Sequence, residues 1–290
     1  MSNTPVVHSI HHPTSGTWTH VIADPATARA ALVDPVLDFE AASGRIGTQP
    51  AAELLKRIGE LGLEVELILE THAHADHLSA GAWLRERCGA PLAIGAGIVE
   101  VQRTFQRRLA LDDGFVADGS QFDRLLRDGD RLRIGSLNLH VIATPGHTPD
   151  SLSYLVGDAL FVGDTLFAPA AGTARCDFPG GSAATLYRSI RRLYALPDTT
   201  RVFLCHDYPA SGNAALAQSS IADEKSGNTQ LRADTAVAAY VEVRERRDAT
   251  LPVPKLLWPA IQFNIRGGRL PAADTDGRVF FKLPIDFDAE

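Results

Sequence analysis

The stretch THAHADHLSAG, residues 71–81, places three histidines and an aspartate within six positions. It follows directly on the apolar run VELILE at 65–70 and precedes a helix-like segment. Side chains alternate along an extended segment, so His72 and His74 share one side while Asp76 and His77 turn toward a second position. As mere packing such a cluster would be costly through charge repulsion unless a cation or a proton compensates. The stretch therefore reads as a metal-binding loop at the end of a strand.

Three further spots repeat the pattern. TPGHTPDS (144–151) sets His147 after a strand-like run, LFVGDT (160–165) sets Asp164 after another, and VFLCHDY (202–208) sets His206 after a third. Taken singly, each has a plainer reading. A lone histidine beside a strand is more often a hydrogen-bonded structural residue, and an isolated Gly-Asp-Thr often caps a turn. Seven candidates, all at strand ends, point instead to one cavity into which loops aim short side chains.

Composition sets the outer bounds. A chain of 290 residues with 45% hydrophobic content fits one large domain with a full core, with a C-terminal extension over about 210–290 packed on it. The formal charge is -7, and the densest basic cluster, RERR at 244–247, contains a glutamate. That excludes nucleic acid as the main partner, which needs a positive stripe, yet leaves room for a small anionic substrate in a local basic pocket. The N-terminus carries no basic start followed by an apolar core, and no apolar run approaches the ~20 residues that cross a bilayer. Cys88, Cys176 and Cys205 are odd in number and form no CxxC pair. Free thiols and a reducing, cytoplasmic setting are expected.

Apolar spacing predicts strands at 17–24, 28–35, 65–70, 91–94, 131–134, 137–142, 151–156, 159–162 and 202–205. Helices are predicted over 49–61, with Ala52, Leu55, Ile58 and Leu61 inward, and over 79–88, 97–109, 183–196 and 235–248. A Pro-rich segment is expected from there to Glu290. Mixed strands with helices at intervals suggest two sheets covered by helices. Cys205, on an apolar strand, is expected to point into the core, and Cys176 to be a buried thiol without a role. His8, His11, His12, His20 and His140 have no motif context and are read as structural or exposed.

Thr-His-x-His-x-Asp-His, then TPGHT, GDT and CHD, resembles the metallo-β-lactamase superfamily over about residues 17–208. The resemblance implies an α/β (α+β) αββα sandwich with a metal cleft at one edge of the two sheets. The superfamily includes zinc hydrolases, nucleases, flavo-diiron proteins and iron-dependent sulfur dioxygenases, so it does not by itself give the reaction. AGTARCDFPGG (171–181) replaces the Gly-Cys-Gly-Lys-Phe type run of glyoxalase II relatives. Together with ETHAHADHLSA and WPAIQFNIRGG (258–268), it is similar to the bacterial single-domain persulfide dioxygenases.

That likeness implies one Fe(II) per subunit on His72, His147 and Asp164, two histidines and a carboxylate that leave positions for substrate and O2. It implies glutathione persulfide and O2 as partners, sulfite and glutathione as products, and a homodimer. His74, Asp76, His77 and His206 then either orient ligands and bound water by hydrogen bonds or hold a second metal. The alternative is a thioester hydrolase of glyoxalase II type with two zinc or mixed metals on all seven. Because glutathione has carboxylates at both ends, its pocket calls for basic or hydroxyl donors. The candidates are Arg175 with Asp177 as ion partner, Tyr208, Lys225 and Asn228. For Arg175 and Asp177, pinning of the loop is an equal reading.

Overall fold

The computed structural model describes residues 4–112, 114–207 and 214–285. The first half of the chain supplies strands β1 (Val6–His12), β2 (Thr17–Ala23), β3 (Arg29–Val33), β4 (Val36–Glu40) and β5 (Arg45–Gly47). After helix α1 (Gln49–Glu60) come β6 (Glu64–Leu69), β7 (Leu78–Ser79), α2 (Gly81–Cys88), β8 (Leu92–Gly95), α3 (Ile98–Arg108) and β9 (Arg124–Leu126). The second half supplies β10 (Arg131–Ile134), β11 (Leu137–Ala143), β12 (Leu152–Val156), β13 (Ala159–Phe161) and α4 (Ala183–Leu193). It ends with β14 (Arg201–Phe203), β15 (Gln218–Ser220), α5 (Ile221–Gly227), α6 (Val237–Asp248) and α7 (Leu257–Asn264).

Two six-stranded sheets form, in the orders β1-β2-β3-β6-β8-β9 and β10-β11-β12-β13-β14-β15. Period-two alternation decides which side chains meet between them. Ile22, Ala31, Val33, Leu67 and Leu69 of the first sheet pack on Leu139, Val141, Tyr154, Phe161 and Phe203 of the second. The opposite faces take helices: Leu32, Ile68 and Leu92 lie under α1, α2, α3 and α7, while Leu160, Val162 and Val202 lie under α4, α5 and α6. This is the αββα sandwich.

Local sequence explains most departures from expectation. Helix α1 buries Ile58 as expected, but alongside Ala51 and Leu54; Ala52 is exposed and Leu55 and Leu61 only half-buried. Edge strand β1, VVHSIHH, escapes an apolar-run search because histidine and serine break its pattern, yet it pairs along its whole length with β2. Helix α7 interrupts the expected Pro-rich tail. Its Pro259 falls in the first turn, where the missing N–H would have no intrahelical acceptor anyway.

Beneath the second sheet, Glu224 of α5 is fully buried, and burial raises its carboxyl to about 7 against Asn228, which donates to it. The folded chain thus keeps a proton that the unfolded chain releases above 4.5, so stability falls as pH rises through that window to about 7. Glu224→Gln removes the penalty. Denaturant titrations should show the variant more stable than wild type above that window by roughly 2–3 kcal/mol, and matched to it at lower pH.

Candidate metal centre

All seven motif residues converge at one end of the sandwich. His72, His74, Asp76 and His77 lie in the connection between β6 and β7, and His147 between β11 and β12. Asp164 sits in a single helical turn, Gly163–Thr165, after β13, and His206 follows β14 and bridges to Thr17 of β2. Two glycines make these turns possible. Gly146 adopts φ +139° with a Cβ position only 2.3 Å from the Leu186 nitrogen, so helix α4 can press on the His147 loop. Gly163 adopts φ +52°, and a Cβ there would meet the Thr71 hydroxyl at 2.6 Å.

Among the described residues the donor atoms fall into four overlapping groups. One atom each from His72, His147 and Asp164 lie within 4.8 Å of one another, and so do single atoms of His74, Asp76, His77 and His206, while Cys205 groups both with Asp34 and His74 and with Asp164 and His206. Asp164 faces both sides: its Oδ2 is 3.9 Å from His72 Nε2 and 3.7 Å from His147 Nε2, and its Oδ1 is 3.3 Å from His206 Nε2. His72 and His74 keep their rings in contact, centroids 4.0 Å apart, yet their donor atoms belong to different groups.

Hydrogen bonds fix the rings. His147 Nδ1 donates to the Arg175 carbonyl at 2.7 Å, which leaves its Nε2 lone pair facing Asp164. His72 Nδ1 donates to the Thr71 hydroxyl (3.1 Å), which in turn donates to Asp34 Oδ2 (2.9 Å). His74 spends Nε2 on Asp34 Oδ1 at 3.0 Å, leaving its buried Nδ1 without a hydrogen-bond partner. The loop backbone is held from both sides. Asp150 accepts from the Ala73 amide, while Asn264 of α7 accepts from the Ser79 amide and donates to the His74 and His77 carbonyls at 2.8 Å each.

Charge states follow from burial and neighbours. Burial first, and then the facing His74, push His72 well below the usual histidine range; burial and His77 do the same to His74. Both rings are therefore neutral, the form that ligates a metal. Burial resists ionisation of Asp76, but His206 and His77 hold its carboxyl well below the usual range. Burial likewise opposes a charge on His206, and Asp76 and Asp164 reverse that and raise it. Besides His74 Nδ1, the buried His77 Nε2, Asp76 Oδ2 and Asp164 Oδ1 accept or donate no hydrogen bond. Buried polar atoms left this way call for a cation, and imidazole nitrogens with carboxylate oxygens form a donor set that suits one.

The chain matches the metallo-beta-lactamase superfamily over residues 13–206. It belongs to that superfamily. It is 43% identical, over 99% of its own length and of the relative's, to glyoxylase B2 of Dictyostelium discoideum. It is 30% identical to the mitochondrial persulfide dioxygenase ETHE1 of Bos taurus, over 92% of this chain and 91% of the relative. It is 46% identical over 97% of its residues to the beta-lactamase hydrolase-like protein of Agrobacterium fabrum, of whose length it spans 65%. The crystal structure of ETHE1 from Myxococcus xanthus superposes with a TM-score of 0.73 at 34% identity, covering 91% of this chain and all of that one.

Loops beyond the strand ends wall the centre. A cleft of about 600 Å³ opens over Asp76, His147, Asp164 and His206, bounded by Phe167 and by the segment 251–256. Arg175 lines it, but its guanidinium is engaged: Nε and Nη2 grip Asp177 at 2.6 Å each, and Nη1 donates to the Pro252 carbonyl. The pair pins the loop whose carbonyl orients His147. Lys225 and Asn228 lie away from the cleft. Lys225 pairs with Asp198, and the buried Asn228 amide donates to Gly172 and Glu224. Tyr208 lies outside the described residues.

Among the thiols, Cys205 is buried in the core as expected, but beside a carboxylate: its Sγ lies 3.5 Å from Asp34 Oδ2, and burial and that carboxylate push its pKa well up. Cys176 is buried and pushed up to about 12 by burial, and all three cysteines are free. Among the described residues no helix is long and apolar enough to cross a membrane.

Asp34, Asp150 and Asn264 escaped the motif search. The first two had a signal, since Asp34-Pro35 also follows an apolar run and Asp150 lies inside TPGHTPDS. Asn264 sits inside WPAIQFNIRGG, but nothing in that stretch points it at His77, 187 positions away in sequence. Replacing Asn264 by Ala strands two buried carbonyls and an amide, a loss of about 1–3 kcal/mol per unsatisfied group at most. Metal-loaded N264A should surrender its metal to a chelator faster than wild type; unchanged release would show that the clamp does not support the centre.

Proposed function

We propose that the protein is an iron-dependent persulfide dioxygenase, converting glutathione persulfide, O2 and water into glutathione and sulfite. The balance closes: the terminal sulfur is oxidised, O2 is reduced, and the S–S bond breaks with a proton going to the glutathione sulfur. The observation that carries the reading is the separate grouping of His72, His147 and Asp164, two imidazoles and one carboxylate. That set suits Fe(II) with open positions, and also zinc. Iron is favoured by the likeness to the persulfide dioxygenase and to the Myxococcus xanthus structure.

When bound, Fe(II) supplies the redox chemistry that lets O2 react with a persulfide sulfur. The chain's own residues do the rest. His72 and His147 present Nε2 lone pairs because Thr71 and the Arg175 carbonyl hold their Nδ1 protons. Phe167, Ala174, Leu251 and Pro252 give the cleft an apolar lining for the substrate. His206, raised by Asp76 and Asp164 against its burial, lines the cleft with its Nε2 3.3 Å from Asp164 Oδ1.

One observation favours a second reading. His74, Asp76, His77 and His206 form a four-donor group of their own, and the chain is similar to a glyoxylase. A two-metal hydrolase of glutathione thioesters would use both groups.

Oxygen uptake separates the two. Fe(II)-loaded protein given glutathione persulfide should consume one O2 per sulfite formed and leave S-lactoylglutathione intact. Thioester cleavage without uptake would replace the dioxygenase by the hydrolase. Metal analysis adds a second measure: His72→Ala, His147→Ala and Asp164→Ala should each purify without iron, whereas His206→Ala should retain appreciable iron. Equal loss in all four would count against a mononuclear centre.

A further inference from the structure

Four cationic side chains line the cleft: Arg175, Arg244, Arg247 and Lys255. Two are spent on structure. Arg175 is locked to Asp177 and Pro252, as described. Arg244 is fully buried, with Nε and Nη2 on Asp248 Oδ1 at 2.9 and 2.5 Å and Nη1 on the Thr173 carbonyl and Gln230. Arg247 and Lys255 are exposed, and neither makes an ion pair or a side-chain hydrogen bond among the described residues.

The cleft lining is graded in exposure. His147 is buried and Asp164 nearly so, Phe167, Ala174, Leu251 and Pro252 add apolar surface, and Arg247 and Lys255 are exposed cations without an ion pair among the described residues. In a chain of formal charge -7, an anionic ligand is repelled at long range and needs such local cations to enter. The gradient fits a molecule with a soft reactive atom at one end and carboxylates some distance away.

We infer that Arg247 and Lys255 grip the carboxylates of a glutathione-type tripeptide, with its sulfur directed at the His72–His147–Asp164 end. Arg247 offers a planar fork for a carboxylate, and Lys255 a flexible single donor. The inference rests on the proposed substrate class and not on the reaction, since any S-substituted glutathione presents the same carboxylates. It moves the anion-recognising role from the RCDF loop to the last turn of α6 and the segment after it.

The test uses the metal-loaded full chain and two ligands. S-methylglutathione binding, followed by calorimetry, should weaken about threefold in Arg247→Gln and in Lys255→Gln, and about tenfold in the double variant, with Arg247→Lys retaining most of the affinity. With glutathione persulfide the loss should fall on KM rather than kcat. With the persulfide of 2-mercaptoethanol, which has no carboxylate, KM should not move, a split that general disruption of the fold would not give. Added salt should raise the glutathione persulfide KM of wild type more than that of the double variant.

Unchanged S-methylglutathione affinity in the double variant would overturn the grip even if O2 uptake is normal. No O2 uptake by wild type, with binding that the double variant weakens, would overturn the dioxygenase reading and leave the grip standing. Absence of S-methylglutathione binding to wild type would overturn the grip.

Discussion

The carboxylate of Asp34 is the tie on which the metal centre depends. It is buried at the end of β3, in a left-handed backbone conformation (φ +49°) that aspartate tolerates better than most residues. There it accepts from the Thr71 amide and hydroxyl and from His74 Nε2, with the Cys205 thiol 3.5 Å away. A buried charge persists only when it is paired and hydrogen-bonded, and these donors come from two separate loops. The same bonds hold the first histidine in its tautomer and turn the second toward the other group. Without this carboxylate, the three crowded imidazoles would have no common reference.

A second support lies outside the superfamily match, which ends at residue 206. Arg244 and Asp248 of α6 tie down the loop around Thr173 and Cys176, because Arg244 donates to the Thr173 carbonyl and Asp248 accepts from the Cys176 amide. That loop in turn presents the carbonyl that orients His147. Such a buried ion pair contributes little net stability, since desolvation offsets the attraction, and its value here lies in fixing one loop geometry. Asn264 does the same for the histidine-rich loop from the other side. The metal-ligand loops and the segments that brace them are thus built by different parts of the sequence, 71–206 and 244–264.

Much of the fold was legible because its signals are local. The VELILE run, the short strands at 131–162 and helices α3 and α4 follow from apolar periodicity, and their observed bounds agree to within a few residues. Strand β1 and helix α7 were not legible. The first is an edge strand held by its neighbour rather than by its own pattern, and the second is a helix whose apolar residues sit among prolines. The inward face of α1 was misplaced by one position, since periodicity gives a stripe but not its orientation on the sheet.

The sequence by itself determined which side chains crowd the centre, because histidine and aspartate at strand ends are a pattern that packing alone does not favour. The order of its apolar runs also suggested two sheets covered by helices, and the resemblance of its motifs implied the αββα arrangement. Only the tertiary structure decided how those donor atoms group, that Cys205 faces Asp34, and that Arg175, paired with Asp177 as expected, is also tied to the Pro252 carbonyl. It alone also left Arg247 and Lys255 lining the cleft. The physical reason is that a residue's type fixes what it can bind, whereas its partners are set by contacts between segments far apart in the chain. Neighbours such as Asp34 and His74, or Asn264 and His77, meet only once both sheets have closed on their helices.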